Sequence, residues 1–236
     1  MIVLLQPGSG AEGRRGRLLD GEAHHLRVRR AREGEMVELR DGAGLVGRGR
    51  LVAVSGEWEV EIDQVETRPA APGLVLAVGA GDRERFATVV EKAVELGVTR
   101  VVPLLTERSA GVATRLRSGQ LERLRRQALE GVKQSGNPWA CGVEEPVAMP
   151  EFLSRPAEGR RWLADVGGTP IPATLGPEPV TVVVGPEGGL SEPERAAAAA
   201  AGYQPVRLGP HTLRFETAAI AAAAAVQAAR LRGSNG

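Results

Sequence analysis

The hydrophobic pattern changes character about one third of the way along the chain. Up to residue 66 the apolar positions fall in short runs, and Met36–Leu39, Leu45–Val54 and Trp58–Val65 read as strands. Asp41-Gly42 and Ser55-Gly56 supply turn chemistry between them. Short strands joined by glycine turns predict a small β-barrel. Ahead of them, Asp20-Gly21-Glu22 reads as a helix start with Asp20 as its cap, and Gly34 as a stop. His24, Leu26, Val28 and Ala31 make no clean helical stripe, so only a short helix is expected. Thr67–Gly73 then places two prolines and a glycine within seven residues, which reads as a linker.

Beyond the linker, strand and helix patterns alternate. Leu74–Val78, Arg100–Leu104, Arg161–Asp165, Val180–Val184 and Gln204–Leu208 are short apolar runs of strand length. Between the first two, Phe86, Val89, Val90, Ala93 and Val94 repeat at helical spacing over Asp82–Leu96, with Gly97 as the stop. Ser118–Gln134 is a second helix. Ser191–Ala201 is a third, with Ser191 as cap and Glu194 at the capping-box position, ended by Gly202. Glu216–Leu231 is an alanine-rich terminal helix whose cap is expected at Thr217. Such alternation predicts an α/β domain with a mainly parallel sheet. The expected division is a barrel over 1–68, a linker over 69–73 and the α/β domain over 74–236.

Composition adds limits. The chain has 236 residues, 42% of them hydrophobic, enough for a buried core. Its longest apolar run, Ala218–Val226, is too short to span a bilayer, and the first residues lack the basic region of a signal peptide. A single cysteine, Cys141, cannot form an internal disulfide. These features point to a cytoplasmic protein without membrane association. Net charge is +1 and says nothing about nucleic acid, but the distribution does. Seven arginines lie between Arg14 and Arg32 against two acids, and six arginines and a lysine lie between Arg108 and Lys133 against two acids. Clustered arginine is the footprint of a phosphate-backbone binder, although charge runs are usually solvated faces. Three scattered histidines and one cysteine offer no metal-ligand spacing, so no metal is expected.

Two segments carry the pattern of a ligand site. Gly185-Pro186-Glu187-Gly188-Gly189-Leu190-Ser191-Glu192 joins a buried strand to a capped helix. Ligands bind at the carboxyl ends of strands in open parallel sheets, and paired glycines let the backbone approach a ligand closely. The spacing matches neither a phosphate loop nor a dinucleotide fingerprint. Leu208–Ala218 (LGPHTLRFETA) follows another strand and gathers His211, Arg214, Glu216 and Thr217 before a helix of small residues. Helix initiation accounts for Glu216 and Thr217 but leaves Arg214 unexplained.

Taken together these segments resemble the RsmE family, in order along the whole chain. The resemblance includes His24-His25-Leu26 with the following arginines, Asp82-Arg83, Glu91–Val98 (EKAVELGV) and Glu107-Arg108-Ser109. It continues through Glu130 with Lys133-Gln134-Ser135-Gly136, and ends in the two segments above. That family belongs to the SPOUT class of S-adenosylmethionine enzymes and methylates N3 of a uridine in bacterial 16S ribosomal RNA. The resemblance implies a PUA-like amino-terminal barrel, a carboxy-terminal domain with a deep trefoil knot, and a homodimer acting on 16S rRNA in the small ribosomal subunit. Asn137, His211 and Phe215 depart from the residues the family commonly carries at those positions.

The resemblance also assigns roles. It places S-adenosyl-L-methionine against Gly185, Pro186, Glu187, Gly188 and Gly189, against Leu208, Gly209 and Leu213, and against a third wall around Leu163–Gly167. Methyl transfer at N3 requires loss of the N3 proton and stabilisation of charge on the uracil oxygens. Arg214 is the candidate for that stabilisation and Glu216 the candidate base. Arg27, Arg29, Arg30 and Arg108 are the candidate RNA contacts. A SPOUT enzyme acting on a ribose 2′-hydroxyl or another base, and a non-catalytic ribosome-assembly protein, remain open alternatives.

Overall fold

The computed structural model describes residues 1–10, 15–109 and 118–234. The chain divides into two compact units, one of residues 1–70 and 129–140, the other of residues 71–128 and 141–236. Arg14, Arg115 and Arg117 of the two basic stretches lie outside the described residues.

The first unit is a five-stranded sheet. Its strands are β1 (Ile2–Leu4), β2 (Arg15–Arg17), β3 (Met36–Arg40), β4 (Leu45–Val54) and β5 (Glu57–Thr67), in the order β1-β3-β4-β5-β2. Leu5 bridges Leu18, and Leu19 N–H donates to the Leu4 carbonyl at 2.8 Å, so the outer strands meet and the sheet closes. Closure removes the open edges on which another chain could pair. Leu5, Leu26, Leu39, Leu51 and Val60 fill the interior. The predicted strands are present. The two short outer ones carry too little pattern to be read from sequence.

Helix α1 (Glu22–Val28) is short, as expected. Its N-cap is Gly21, at φ 93°, and no side chain caps it, so Asp20 does not have the expected role. The helix ends well before Gly34, where Arg29 leaves helical geometry and Arg30 takes φ 58°.

Glu22 explains why this helix is fixed. The residue is 4% exposed. Lys133 Nζ lies 2.6 Å from Glu22 Oε1, 2.9 Å from Glu130 Oε2 and 3.2 Å from His25 Nδ1. Glu22, His25 and Glu130 hold ligand-type atoms within 4.8 Å of one another, and the Lys133 ammonium bonds to all three. Burial alone would lower the Lys133 pKa. Its hydrogen bonds to Glu22 and Glu130 outweigh that and hold it above the ordinary lysine value.

The second unit carries a parallel sheet. Its strands are β6 (Leu74–Gly79), β7 (Arg100–Leu105), β8 (Gly142–Val143), β9 (Val147–Ala148), β10 (Arg160–Pro170), β11 (Val180–Val184) and β12 (Gln204–Arg207). They run in the order β12-β10-β11-β6-β7-β8, with β9 also on β7. Every residue of β6 and β11 is buried, as expected of strands covered on both faces. The helices after α1 are α2 (Arg83–Glu95), α3 (Ser118–Ser135, which belongs to the first unit from residue 129 on), α4 (Met149–Ser154), α5 (Glu192–Ala200) and α6 (Phe215–Gly233). Asp82 caps α2 by accepting from Glu84 N and Arg85 N. Ser191 and Glu194 form the predicted capping box on α5. Strands β8 and β9 and helix α4 had no readable periodicity at their lengths.

Helix α6 packs on α2, β6 and β11. Its alanines Ala218, Ala219, Ala222 and Ala223 are buried, so the helix lies close against the sheet. Its N-cap is Arg214 without a side-chain cap bond, not Thr217. Near its end, Arg230 donates to the carbonyls of Pro72, Gly73 and Glu178 at 2.9–3.0 Å. On α2, Lys92 lies 2.7 Å from Glu91 and 2.8 Å from Glu95. Burial pushes the Cys141 thiol up to about 12, so it stays protonated at neutral pH. Among the described residues no helix is long and apolar enough to cross a membrane.

The buried Glu22–Lys133 pair gives a direct test. Lys133→Met leaves Glu22 buried without a counter-charge and is expected to lower the unfolding free energy by about 3 kcal/mol, read from urea denaturation. Adding Glu22→Gln should recover most of that loss. Because the folded Lys133 pKa is raised, its contribution is complete below the ordinary lysine value. The gap between wild type and Lys133→Met should therefore narrow as pH rises past about 10.4.

Candidate functional site

The carboxyl ends of β10, β11 and β12 converge on one cleft of about 330 Å³. Strand β11 runs into Gly185–Leu190, where Gly189 takes φ 69° and its N–H donates to the Pro186 carbonyl at 2.8 Å. That turn delivers the chain to the capped start of α5. Leu208–Leu213 follows β12 and forms the facing wall. All nine predicted cofactor positions line the cleft: Leu163, Gly185, Pro186, Glu187, Gly188, Gly189, Leu208, Gly209 and Leu213. Val184, Leu190, Phe215 and Ala218 add apolar surface, and Asp165, Arg195 and His211 add polar groups.

The third wall is built differently from the expected turn after a strand ending at Asp165. Strand β10 continues to Pro170, and its register against β12 shifts between Ala164 and Thr169. A side chain at Gly168 would collide with the backbone of Pro205 and Val206, so glycine there lets the bulged strand stay on its neighbour. The bulge holds Asp165 in place. Its carboxylate accepts from Gly167 N at 2.8 Å and pairs with Arg195 of α5.

Neighbouring loops support the glycine turn. Glu187 accepts from Asp82 N at 3.1 Å, which ties it to the start of α2. A Cβ at Gly81 would overlap the Glu187 carboxylate, and one at Gly79 would lie 2.5 Å from Pro186 N. On the other side, Arg108 donates to the Gly188 carbonyl at 2.6 Å, and Glu107 N–H donates to Glu194 at 2.8 Å. Gly79, Gly81 and Glu194 were not read as site residues from sequence. Only the capping-box spacing of Glu194 was visible there.

The other predicted residues are more dispersed. Arg214 is exposed at the N-cap of α6 and does not line the cleft. Glu216, one turn into α6, has Oε1 3.8 Å from Arg85 Nε on α2, while its Oε2 is buried without a partner. It too lies outside the cleft lining. Arg29 pairs with Glu35, whereas Arg27, among the described residues, donates to the Ala23 carbonyl at 3.3 Å. Of the three departures, Phe215 is buried in the cleft wall, His211 is exposed at its surface, and Asn137 accepts from Trp139 N at 3.0 Å in a local turn.

A family model described as an RNA methyltransferase domain matches residues 69–227, and one described as an RNA methyltransferase PUA domain matches residues 18–62. Ribosomal RNA small subunit methyltransferase E of Aquifex aeolicus (strain VF5) is 30% identical over 89% of this chain and 94% of its own length. Its counterpart in Synechocystis is 32% identical over 89% of this chain and 72% of its own length. Among solved structures, the methyltransferase E of Neisseria gonorrhoeae bound to S-adenosyl methionine has a TM-score of 0.83 at 29% identity, covering 95% of this chain and 96% of that one. A Legionella pneumophila methyltransferase in complex with SAM has a TM-score of 0.85 at 27% identity, covering 97% of both chains. A parallel sheet with a glycine-loop cleft at its carboxyl edge, accompanied by a PUA barrel, defines the class of RNA methyltransferases. Within that class the chain belongs to the ribosomal RNA small subunit methyltransferase E family.

The close approach of β6 to the glycine loop is testable. Gly79→Ala sets a methyl group against the Pro186 backbone and is expected to cost about 1–3 kcal/mol, read as a lower melting temperature. An unchanged melting temperature would show that the two loops separate easily.

Proposed function

We propose that this protein transfers the methyl group of S-adenosyl-L-methionine to N3 of a uridine in 16S rRNA. The observation that carries the reading is the convergence of all nine expected cofactor positions on one cleft at the carboxyl edge of the sheet. The cleft suits the donor in size and chemistry. Its volume falls in the usual range for small-ligand pockets. Leu163, Val184, Leu213 and Phe215 form an apolar wall for a purine, and the glycine turn lets main-chain groups approach it. A Cβ at Gly185 would come within 3.2–3.3 Å of Leu190, so a side chain there would press on the turn. When bound, the cofactor supplies an electrophilic methyl group on a sulfonium.

The chain's own work is then to orient the base, exclude water and manage charge. Arg214, exposed where the second loop enters α6, is the group we assign to the negative charge that builds on the uracil oxygens. Glu216 is the proposed base. Its Oε1 faces Arg85 and its buried Oε2 has no hydrogen-bond partner, so the carboxylate has to come within reach of the uracil to act. For RNA, the basic end of α1 is the proposed phosphate-binding surface. Arg27 and Arg30 carry no acidic partner among the described residues, whereas Arg29 is partly neutralised by Glu35. A homodimer, a trefoil knot, a cytoplasmic setting and the small ribosomal subunit as substrate belong to the same reading. So does the division into barrel, linker and catalytic domain at residues 68 and 74, to which the structure adds residues 129–140 on the barrel side.

Incubation of isolated small subunits and of naked 16S rRNA with labelled cofactor, followed by mass spectrometry of the nucleosides, is expected to yield N3-methyluridine. A 2′-O-methyl product or another methylated base would overturn the assignment of chemistry, and no cofactor binding in calorimetry would favour a non-catalytic role. Arg214→Ala is expected to lower kcat by about 10²-fold or more, with cofactor affinity unchanged. An active variant removes Arg214 from the mechanism. Changing both Arg27 and Arg30 to Ala should flatten the dependence of log RNA affinity on log salt by about two.

A further inference from the structure

We infer that Arg108 is a positioning residue for the cofactor loop, not an RNA contact. The inference rests on the proposed function in one respect, since it takes the Gly185–Leu190 loop to be the cofactor's. The geometry stands without it.

The Gly188 carbonyl and the Gly189 N–H lie in the plane of one peptide unit and point in opposite directions. Gly189 N–H donates to the Pro186 carbonyl at 2.8 Å, and the Gly188 carbonyl accepts from Arg108 Nη1 at 2.6 Å. The unit is therefore held at both ends. Without that grip, glycine on both sides would leave it free to rotate, because glycine lacks the steric limits of other residues. Arg108 also fills space over the turn. A Cβ on Gly188 would lie 3.3 Å from Arg108 Cβ and 3.4 Å from its Cδ, so the arginine stem covers the outer face of the loop.

Arg108 is itself held. It sits in a turn after β7 in which Ser109 Oγ receives hydrogen bonds from Thr106 N at 3.0 Å and Thr106 Oγ1 at 2.8 Å. Thr106 and Ser109 are buried. The preceding residue, Glu107, donates its N–H to Glu194, and that same carboxylate accepts from Ser191 N at 2.9 Å as part of the α5 cap. The two turns are thus joined at two points, by Glu194 on one side and Arg108 on the other. Arg108 has no carboxylate partner among the described residues, so its hydrogen bond to Gly188 is not a by-product of an ion pair. Arg108 is exposed, but with one guanidinium nitrogen committed to a loop carbonyl and its stem along the turn it presents less of itself to a phosphate. The expected gain is in cofactor binding, because a loop already fixed in its bound shape loses less freedom when the ligand arrives.

The test compares Arg108→Ala, Arg108→Lys and wild type in three measurements. Calorimetry with S-adenosylmethionine should show affinity falling about tenfold in Arg108→Ala, the scale of one hydrogen bond from a charged donor, with Arg108→Lys recovering most of it. Affinity for rRNA at saturating cofactor should stay within about twofold, and its salt slope should not change. Hydrogen exchange across Gly185–Leu190 in the free protein should quicken in Arg108→Ala. The inference is overturned if cofactor affinity and exchange are unaltered while the RNA salt slope drops by about one, the mark of a lost phosphate contact. If wild type binds no S-adenosylmethionine, the functional reading fails, and unaltered exchange in Arg108→Ala would separately remove the positioning role.

Discussion

Main chain lies against main chain at the carboxyl ends of β6 and β11, and the cleft depends on that approach. Gly79 leaves no room for a side chain beside Pro186, and Gly81 leaves none beside the Glu187 carboxylate. The tolerance is small because interior packing is close to that of a crystal, so a methyl group cannot be absorbed without moving backbone. Three loops from β6, β7 and β11 are then fastened through Glu187 to Asp82, Arg108 to Gly188 and Glu107 to Glu194. Each bond is modest alone. Together they convert a glycine-rich segment, which composition would make flexible, into one wall of a defined pocket.

What was legible in the sequence was what is local. The capping box at Ser191 and Glu194, the apolar stripe of α2 and the buried runs of β6 and β11 all announce themselves within a few residues. The glycine loop was readable as a ligand turn because a strand, paired glycines and a helix cap follow one another directly. What was not legible depends on partners far along the chain. Ile2–Leu4 is a strand only because Glu38–Arg40 lies beside it. The β10 bulge exists because Gly168 meets Pro205, and Glu216 faces Arg85 because α6 crosses α2. The cap at Gly21 instead of Asp20 is a case where a glycine able to adopt φ 93° displaced a side chain with the better propensity.

Clusters of arginine proved a poor guide to function residue by residue. Arginines inside and outside the clusters are committed to main-chain carbonyls. Arg125 donates to Val143 O at 3.1 Å, Arg161 to Ala201 O at 2.8 Å and Ala157 O at 2.5 Å, and Arg230 to three carbonyls. A planar fork of donors suits such work, since it can reach more than one acceptor at a helix end or strand crossing. The second of the two basic stretches is therefore divided between arginines bonded to main-chain carbonyls and arginines left exposed. Arg123 and Arg126 are among the residues left exposed.

The lysines carry a consequence of their own. The chain has 30 basic residues, and only Lys92 and Lys133 among them are lysines. Both amines are held by carboxylates, Lys92 by Glu91 and Glu95, and Lys133 by Glu22 and Glu130. An amine in such a pair stays protonated and is a weak nucleophile. Acetyl donors, ubiquitin ligases and amine-directed cross-linkers therefore meet a protein with almost no side-chain amine to act on. The chain draws its positive charge almost wholly from guanidinium groups, which amine-directed acylation does not touch.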